Sequence, residues 1–166
     1  MVLIASIDPG IKNMGLVVVD SDDSCSVLYY ATYDIMEGGH AGKTGKNRTQ
    51  YLPAVMKWVE SIGEEWNLVQ YVLIEQQMED MIAVEAALYA IFYPKSVIIP
   101  PTEIKKYFHT GSRNKNKDQQ YKENKIEGRK AARTITGIMD FDFNTSDAYL
   151  QAKWFIDTQL QLQEES

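Results

Sequence analysis

The stretch Ile4–Asp20 constrains the fold of this 166-residue chain more than any other. An apolar run, Ile4-Ala5-Ser6-Ile7, ends in the carboxylate of Asp8. The chain then turns through Pro9-Gly10 and Lys12-Asn13-Met14-Gly15 and enters a second apolar run, Leu16-Val17-Val18-Val19. This pattern predicts a β-hairpin that carries an acid in its buried centre. A carboxylate there is costly unless it is paired or bound to a metal ion. The question for the rest of the chain is whether further acids can converge on Asp8.

The periodicity predicts strands over Val2–Asp8, Met14–Asp20, Ser26–Met36, Leu68–Glu75 and Ser96–Pro100. Between them it predicts a helix over Thr49–Trp66, with Leu52, Val55, Met56, Val59 and Ile62 on one face and Thr49 as N-cap. An apolar, alanine-rich helix over Met78–Tyr93 stops at Pro94, and a short one runs from Pro101 to Phe108. Two more follow over Tyr121–Ile138 and Ser146–Gln163. The Glu37–Arg48 and His109–Gln120 stretches read as polar connections. This order is that of an α/β fold: a mixed sheet of about five strands, the first three antiparallel, flanked by helices. One domain over residues 1–166 is expected. In such sheets chemistry collects at strand ends and the adjoining helix starts.

No apolar stretch approaches the roughly 20 residues needed to cross a bilayer, and Asp8 interrupts the first run too early for a signal peptide. An intracellular protein with no membrane partner is therefore expected. The single Cys25 allows no internal disulfide or thiolate cluster, which fits a reducing compartment. His40 and His109 lie in polar, glycine-bearing stretches, so a histidine zinc site is not expected. The net charge of −6 conceals an asymmetry. Lys105–Arg133 holds ten Lys and Arg against three acids, and Lys43, Lys46, Arg48 and Lys57 lie in a stretch without acids. Such basic segments on an acidic body suit a focused anion-binding surface or, equally, a solvated charged loop.

Two further acids occupy telling places. Glu75 ends the apolar run Val72-Leu73-Ile74, and Asp147 is expected in the first turn of the last helix. Each has a purely structural explanation: a turn for Asp8-Pro9-Gly10, a solvated strand end for Glu75, a helix-dipole contact for Asp147. Together with a basic segment they suit another role. Carboxylate oxygens are what Mg²⁺ prefers, and a two-metal site clamps the attacking and leaving oxygens of an in-line phosphoryl displacement.

These residues are familiar as a set. Ile7-Asp8-Pro9-Gly10-Ile11-Lys12-Asn13-Met14-Gly15, Leu73-Ile74-Glu75-Gln76 and Ser146-Asp147-Ala148 resemble motifs of the RuvC-like Holliday junction resolvases, in the ribonuclease H-like superfamily. The Ile-Lys-Asn form of the first motif is similar to the viral, phage and mitochondrial branches. The resemblance spans about residues 2–160. It implies a homodimer that binds four-way DNA junctions and makes paired symmetric nicks with two Mg²⁺ ions per site, for which Mn²⁺ can substitute. It assigns metal binding to Asp8, Glu75 and Asp147, and a lysine near the active site to Lys125, with Lys122 as its competitor. Asn144 stands where the family usually has an acid. An amide oxygen ligates Mg²⁺ without bringing charge. Either Asn144 serves in a natural active site, or it marks an inactivated Asp→Asn variant, or Asp140 or Asp142 takes the acid's place. Asn144 also suits a helix cap.

Junction enzymes read branch shape mainly through phosphates. Contacts are expected from Lys12, Lys43, Lys46, Arg48, Arg113, Lys115, Lys117, Lys122 and Arg129. The Met78–Tyr93 helix is a candidate dimer surface, although packing on its own sheet would explain the same residues. Two other functions fit the acids: a branched-DNA-binding protein impaired in cleavage by Asn144, and a nuclease acting on RNA–DNA hybrids. An actin-like phosphotransferase fits least, because it needs a second Gly-rich loop late in the chain.

Overall fold

The computed structural model describes residues 2–22, 25–36, 50–111 and 116–160. Five strands form one sheet: β1 (Leu3–Asp8), β2 (Met14–Asp20), β3 (Ser26–Tyr33), β4 (Tyr71–Glu75) and β5 (Ser96–Ile99), in the order β3-β2-β1-β4-β5. The first three are antiparallel neighbours, while β1, β4 and β5 run parallel. The sheet is thus the mixed one expected from the sequence. The described residues also form five α-helices, α1 (Tyr51–Ile62), α2 (Ile82–Phe92), α3 (Pro101–Tyr107), α4 (Lys117–Thr136) and α5 (Phe143–Phe155), besides short 3₁₀ turns before β4 and α2 and a π-helical turn after α5.

Helices cover both faces, which is why β1 and β4 read as unbroken apolar runs. Ala5, Ile7, Val72 and Ile74 pack with Val55 and Trp58 of α1 and with Val84, Leu88 and Phe92 of α2. On the other face Ile4, Val17 and Leu73 pack with Ala132 of α4 and with Tyr149 and Phe155 of α5. Strand alternation sends Ile4, Ser6 and Asp8 toward that second face. Asp8 thereby ends a row that points at α5.

Several elements differ from expectation. Strand β3 ends at Tyr33 rather than Met36, and β4 begins at Tyr71 rather than Leu68. Helix α1 gives way to a 3₁₀ turn at Gly63 rather than running to Trp66, and a 3₁₀ turn over Glu79–Met81 delays α2 to Ile82. Helix α1 buries Tyr51, Val55 and Trp58, leaving the expected core residues Leu52 and Met56 half exposed; aromatic bulk rotates the face. Thr49, its expected cap, lies outside the described residues. Helix α4 begins at Lys117 rather than Tyr121, because the Asn116 side chain accepts from the backbone N–H groups of Asp118 and Gln119. Helix α5 begins at Phe143 rather than Ser146. Asp142 caps it, accepting from the Thr145 N–H, while the Thr145 hydroxyl accepts from the Asp142 N–H to close a capping box. Asn144 is therefore not the cap, and Asp147 sits in the second turn.

No helix is long and apolar enough to cross a membrane among the described residues.

Candidate active site

Because β1 and β4 are parallel, with Ile7 beside Ile74, Asp8 and Glu75 end neighbouring strands at the same edge of the sheet. Helix α5 starts against that edge. Gly15 pairs with Asp8 across the hairpin, and a Cβ added to it would meet the Asn144 carbonyl at 2.6 Å. This close approach, which only glycine permits, presses the first turn of α5 onto the strand beside Asp8. Helix α4 closes the other side. Gly128 leaves room for Asp147, whose Oδ1 would lie 3.3 Å from an added Cβ.

The result is a cavity of about 340 Å³ lined by Asp8, Glu75, Asn144, Asp147 and Lys125, together with the Pro9–Asn13 turn. The Lys125 ammonium donates to Asp147 Oδ2 and stands 3.8 Å from Asp8 Oδ2. Asp8 is only 8% exposed. Burial, and next the Glu75 carboxylate, push the Asp8 carboxyl well above the usual carboxylate range. Burial, and next Asp147, push Glu75 up to about 7. Asp147 is also raised by burial, against the pull of Lys125. Burial opposes the charge of Lys125, but Asp147 and Asp8 outweigh it and raise its pKa. Three carboxyl groups around one half-buried ammonium leave a site whose ionised form a divalent cation would favour.

The donor set fits a hard cation: carboxylate oxygens and an amide, with no thiolate or imidazole in the lining. Among the described residues, no three His, Cys, Asp or Glu side chains are grouped to hold one ion by themselves. Mg²⁺ does not require that, since it is commonly held through one or two carboxylates, with water and substrate phosphate completing its shell.

Of the expected site residues, Asp8, Glu75, Asn144, Asp147, Lys125 and Lys12 line this cavity. Lys122 is exposed on α4 outside the lining. Asp140 and Asp142 are engaged elsewhere: Asp140 accepts from the Tyr30 hydroxyl at 2.8 Å, and Asp142 accepts from Thr32 Oγ1 at 2.6 Å while capping α5. Lys117 is exposed at the start of α4, and the Arg129 guanidinium lies 4.1 Å over the Phe143 ring. Lys43, Lys46, Arg48, Arg113 and Lys115 lie outside the described residues. The sequence reading missed Lys105, whose charge acts on Glu75 and Asp147, and the buried Thr110, both in the lining. Their signal was weak: a cation in the last turn of a short helix and a threonine in a polar loop.

No protein-family model and no curated protein matches the sequence. Solved structures do match the fold. The yeast mitochondrial Holliday junction resolvase Ydc2 superposes with a TM-score of 0.61 at 17% identity, over 97% of this chain and 80% of that one. Thermus thermophilus RuvC in complex with a Holliday junction substrate gives 0.55 at 16% identity, over 96% and 97%. A second Thermus thermophilus RuvC structure gives 0.54 at 17% identity, over 96% of each chain. The chain has the ribonuclease H-like fold of the RuvC-like Holliday junction resolvases.

Proposed function

We propose that this protein is a divalent-metal-dependent endonuclease that resolves four-way DNA junctions by paired nicks. One observation carries the reading: Asp8, Glu75 and Asp147, far apart in sequence, share one cavity with Lys125, on a fold whose solved examples include resolvases. Ribonuclease H-like folds host several nucleic-acid activities, so the site bears the argument and the fold raises its prior.

In this reading Asp8, Glu75 and Asp147 hold two Mg²⁺ or Mn²⁺ ions, with Asn144 contributing an amide oxygen. The ions supply Lewis acidity at the scissile phosphate and neutralise charge developing on it. Asp8 and Glu75, fixed at the ends of paired strands, set the spacing of the donors. Lys125, held beside Asp147 and Asp8, would offset the charge added to that phosphate in the transition state. Lys12 and Lys105, both in the cavity lining, hold flanking phosphates. Lys117, Lys122 and Arg129 extend that track along α4, and Lys43, Lys46, Arg48, Arg113 and Lys115 would add to it. Affinity should then fall steeply with salt through counterion release.

Symmetric nicking calls for a homodimer. Helix α2 buries Val84, Ala87, Leu88 and Phe92 against the sheet but exposes Ile82, Tyr89 and Ile91, with Met78 and Tyr93 at its ends. A large apolar face left in water supports α2 as the dimer surface.

A second reading rests on Asn144, the one cavity position where a charge is missing relative to the family pattern: a junction-binding protein with impaired cleavage. Both readings are tested with a labelled four-way junction, a linear duplex and an RNA–DNA hybrid in Mg²⁺ or Mn²⁺. Paired nicks across the junction are expected. Tight junction binding without nicks would favour the second reading, and cleavage of the hybrid alone would overturn both.

A further inference from the structure

Helix α5 carries a glutamine where its packing calls for an apolar residue. Gln151 is fully buried between Leu150 and Ala152, both core residues of the α5 face. It meets an equally anomalous partner: Ser6, fully buried in the apolar run of β1. The Gln151 amide Nε2 donates to Ser6 Oγ at 3.0 Å and reaches the Ile7 carbonyl at 3.3 Å. Among the described residues its Oε1 has no hydrogen-bond partner, so the pair is kept at a cost in stability.

The position of the pair gives it a purpose. Gln151 lies one helical turn beyond Asp147 and so shares its face. Ser6 precedes Asp8 by two residues and shares its face of β1. The Ile7 carbonyl belongs to the peptide that leads directly into Asp8. Apolar packing alone tolerates a slide of helix over strand, because any well-filled register buries similar area. A matched polar pair in a dry interface admits only the register in which its hydrogen bond forms.

We infer that Gln151 and Ser6 are positioning residues: their buried hydrogen bond sets the register of α5 on β1, and with it the spacing of Asp147 and Asp8. The inference rests on the ion-binding reading of those acids and adds what holds them in place. The pair touches neither ion nor DNA.

The test is Mn²⁺ binding by the full chain, measured by calorimetry alongside thermal unfolding, for wild type, Asp8→Asn, Gln151→Met and the double variant Ser6→Ala with Gln151→Leu. The double variant should unfold at or above the wild-type temperature yet bind Mn²⁺ about tenfold more weakly, the scale of losing an outer support of a metal ligand. Wild-type Mn²⁺ affinity in a folded double variant would overturn the inference and leave the ion site standing. If the double variant does not fold, Gln151→Met keeps the volume and should show the same weakening; retained affinity there overturns the inference too. Equal Mn²⁺ binding by wild type and Asp8→Asn would remove the ion site itself, and the inference with it.

Discussion

Lys125 on α4 donates to Asp147 on α5 while its ammonium stands 3.8 Å from Asp8 on β1. A single cation thus bridges two carboxylates that the proposed ions must also contact. Lysine and metal should compete for the same oxygens. Lys125→Met is therefore expected to tighten Mn²⁺ binding by about tenfold, some 1.4 kcal/mol. It should also lower junction cleavage by about a hundredfold through loss of transition-state charge stabilisation. Calorimetric Mn²⁺ titration checks the first effect and gel-based cleavage the second. Unchanged or weaker Mn²⁺ binding would refute the competition.

The raised acids give the metal-free protein an unusual pH response. Glu75 titrates near 7 in the fold against 4.5 in the open chain. Its folded value is raised, so its contribution to stability is complete below the unfolded value and is lost as pH climbs through about 7. Asp8 and Asp147 shift in the same direction. Metal-free protein should melt at a higher temperature at about pH 5.5 than at about pH 8, and millimolar Mg²⁺ should narrow the gap. Thermal unfolding at both values, with and without Mg²⁺, reads this directly; equal melting without metal would count against the buried-carboxylate site.

Asn144→Asp adds a carboxylate to a cavity already short of positive charge. Mn²⁺ binding should tighten and cleavage should rise by about tenfold, whereas the metal-free protein should lose about 1 kcal/mol of stability. The same calorimetry and unfolding assays apply. A variant that gains neither affinity nor rate would show that position 144 does not face the ions.

Gly15 and Gly128, which flank the cavity from opposite sides, predict opposite balances. Gly15→Ala drives a methyl into the Asn144 backbone and should cost about 1–3 kcal/mol in unfolding free energy. Gly128→Ala lies mid-helix, where alanine is favoured by up to about 1 kcal/mol. Its methyl nonetheless crowds Asp147, so stability should hold while cleavage drops. Denaturant titration beside cleavage rates separates the two.

Tyr89→Glu places a charge on the outward face of α2, where Tyr89 is 41% exposed. The fold should tolerate it, as surface changes mostly lie within about 0.5 kcal/mol. If α2 forms the proposed dimer surface, light scattering should report a shift from dimer to monomer, and the proposed cleavage should lose its paired character. A variant that remains dimeric would move the interface off α2.

The acid-ended hairpin was readable because a carboxylate against consecutive β-branched and aliphatic residues has few explanations, and the mixed sheet with its first three strands antiparallel followed from hairpin-length and helix-length gaps. Less readable was whatever depended on contact between distant segments. Asp142 as cap of α5, and hence Asp147 in the second turn, needed the Thr145 partnership to be seen. The orientation of α1 depended on Trp58 and Tyr51 outweighing Leu52 and Met56 for the core. Lys105 and Thr110 enter the cavity only because α3 folds back beside the strand ends. Between Lys125 and its competitor Lys122 contact decides: Lys125 donates to Asp147 and lines the cavity, while Lys122 is exposed outside it.

The cavity draws its acids from β1, β4 and α5, elements set far apart along the chain. A polypeptide still leaving the ribosome carries Asp8 and Glu75 long before Asp147 exists to join them. Until the final helix docks, the hairpin and its neighbours present two carboxylates with neither Lys125 nor Asp147 locked beside them. The three-acid cavity therefore cannot assemble before α5 is made, and the proposed cutting would be withheld from any nascent chain that still lacks that helix.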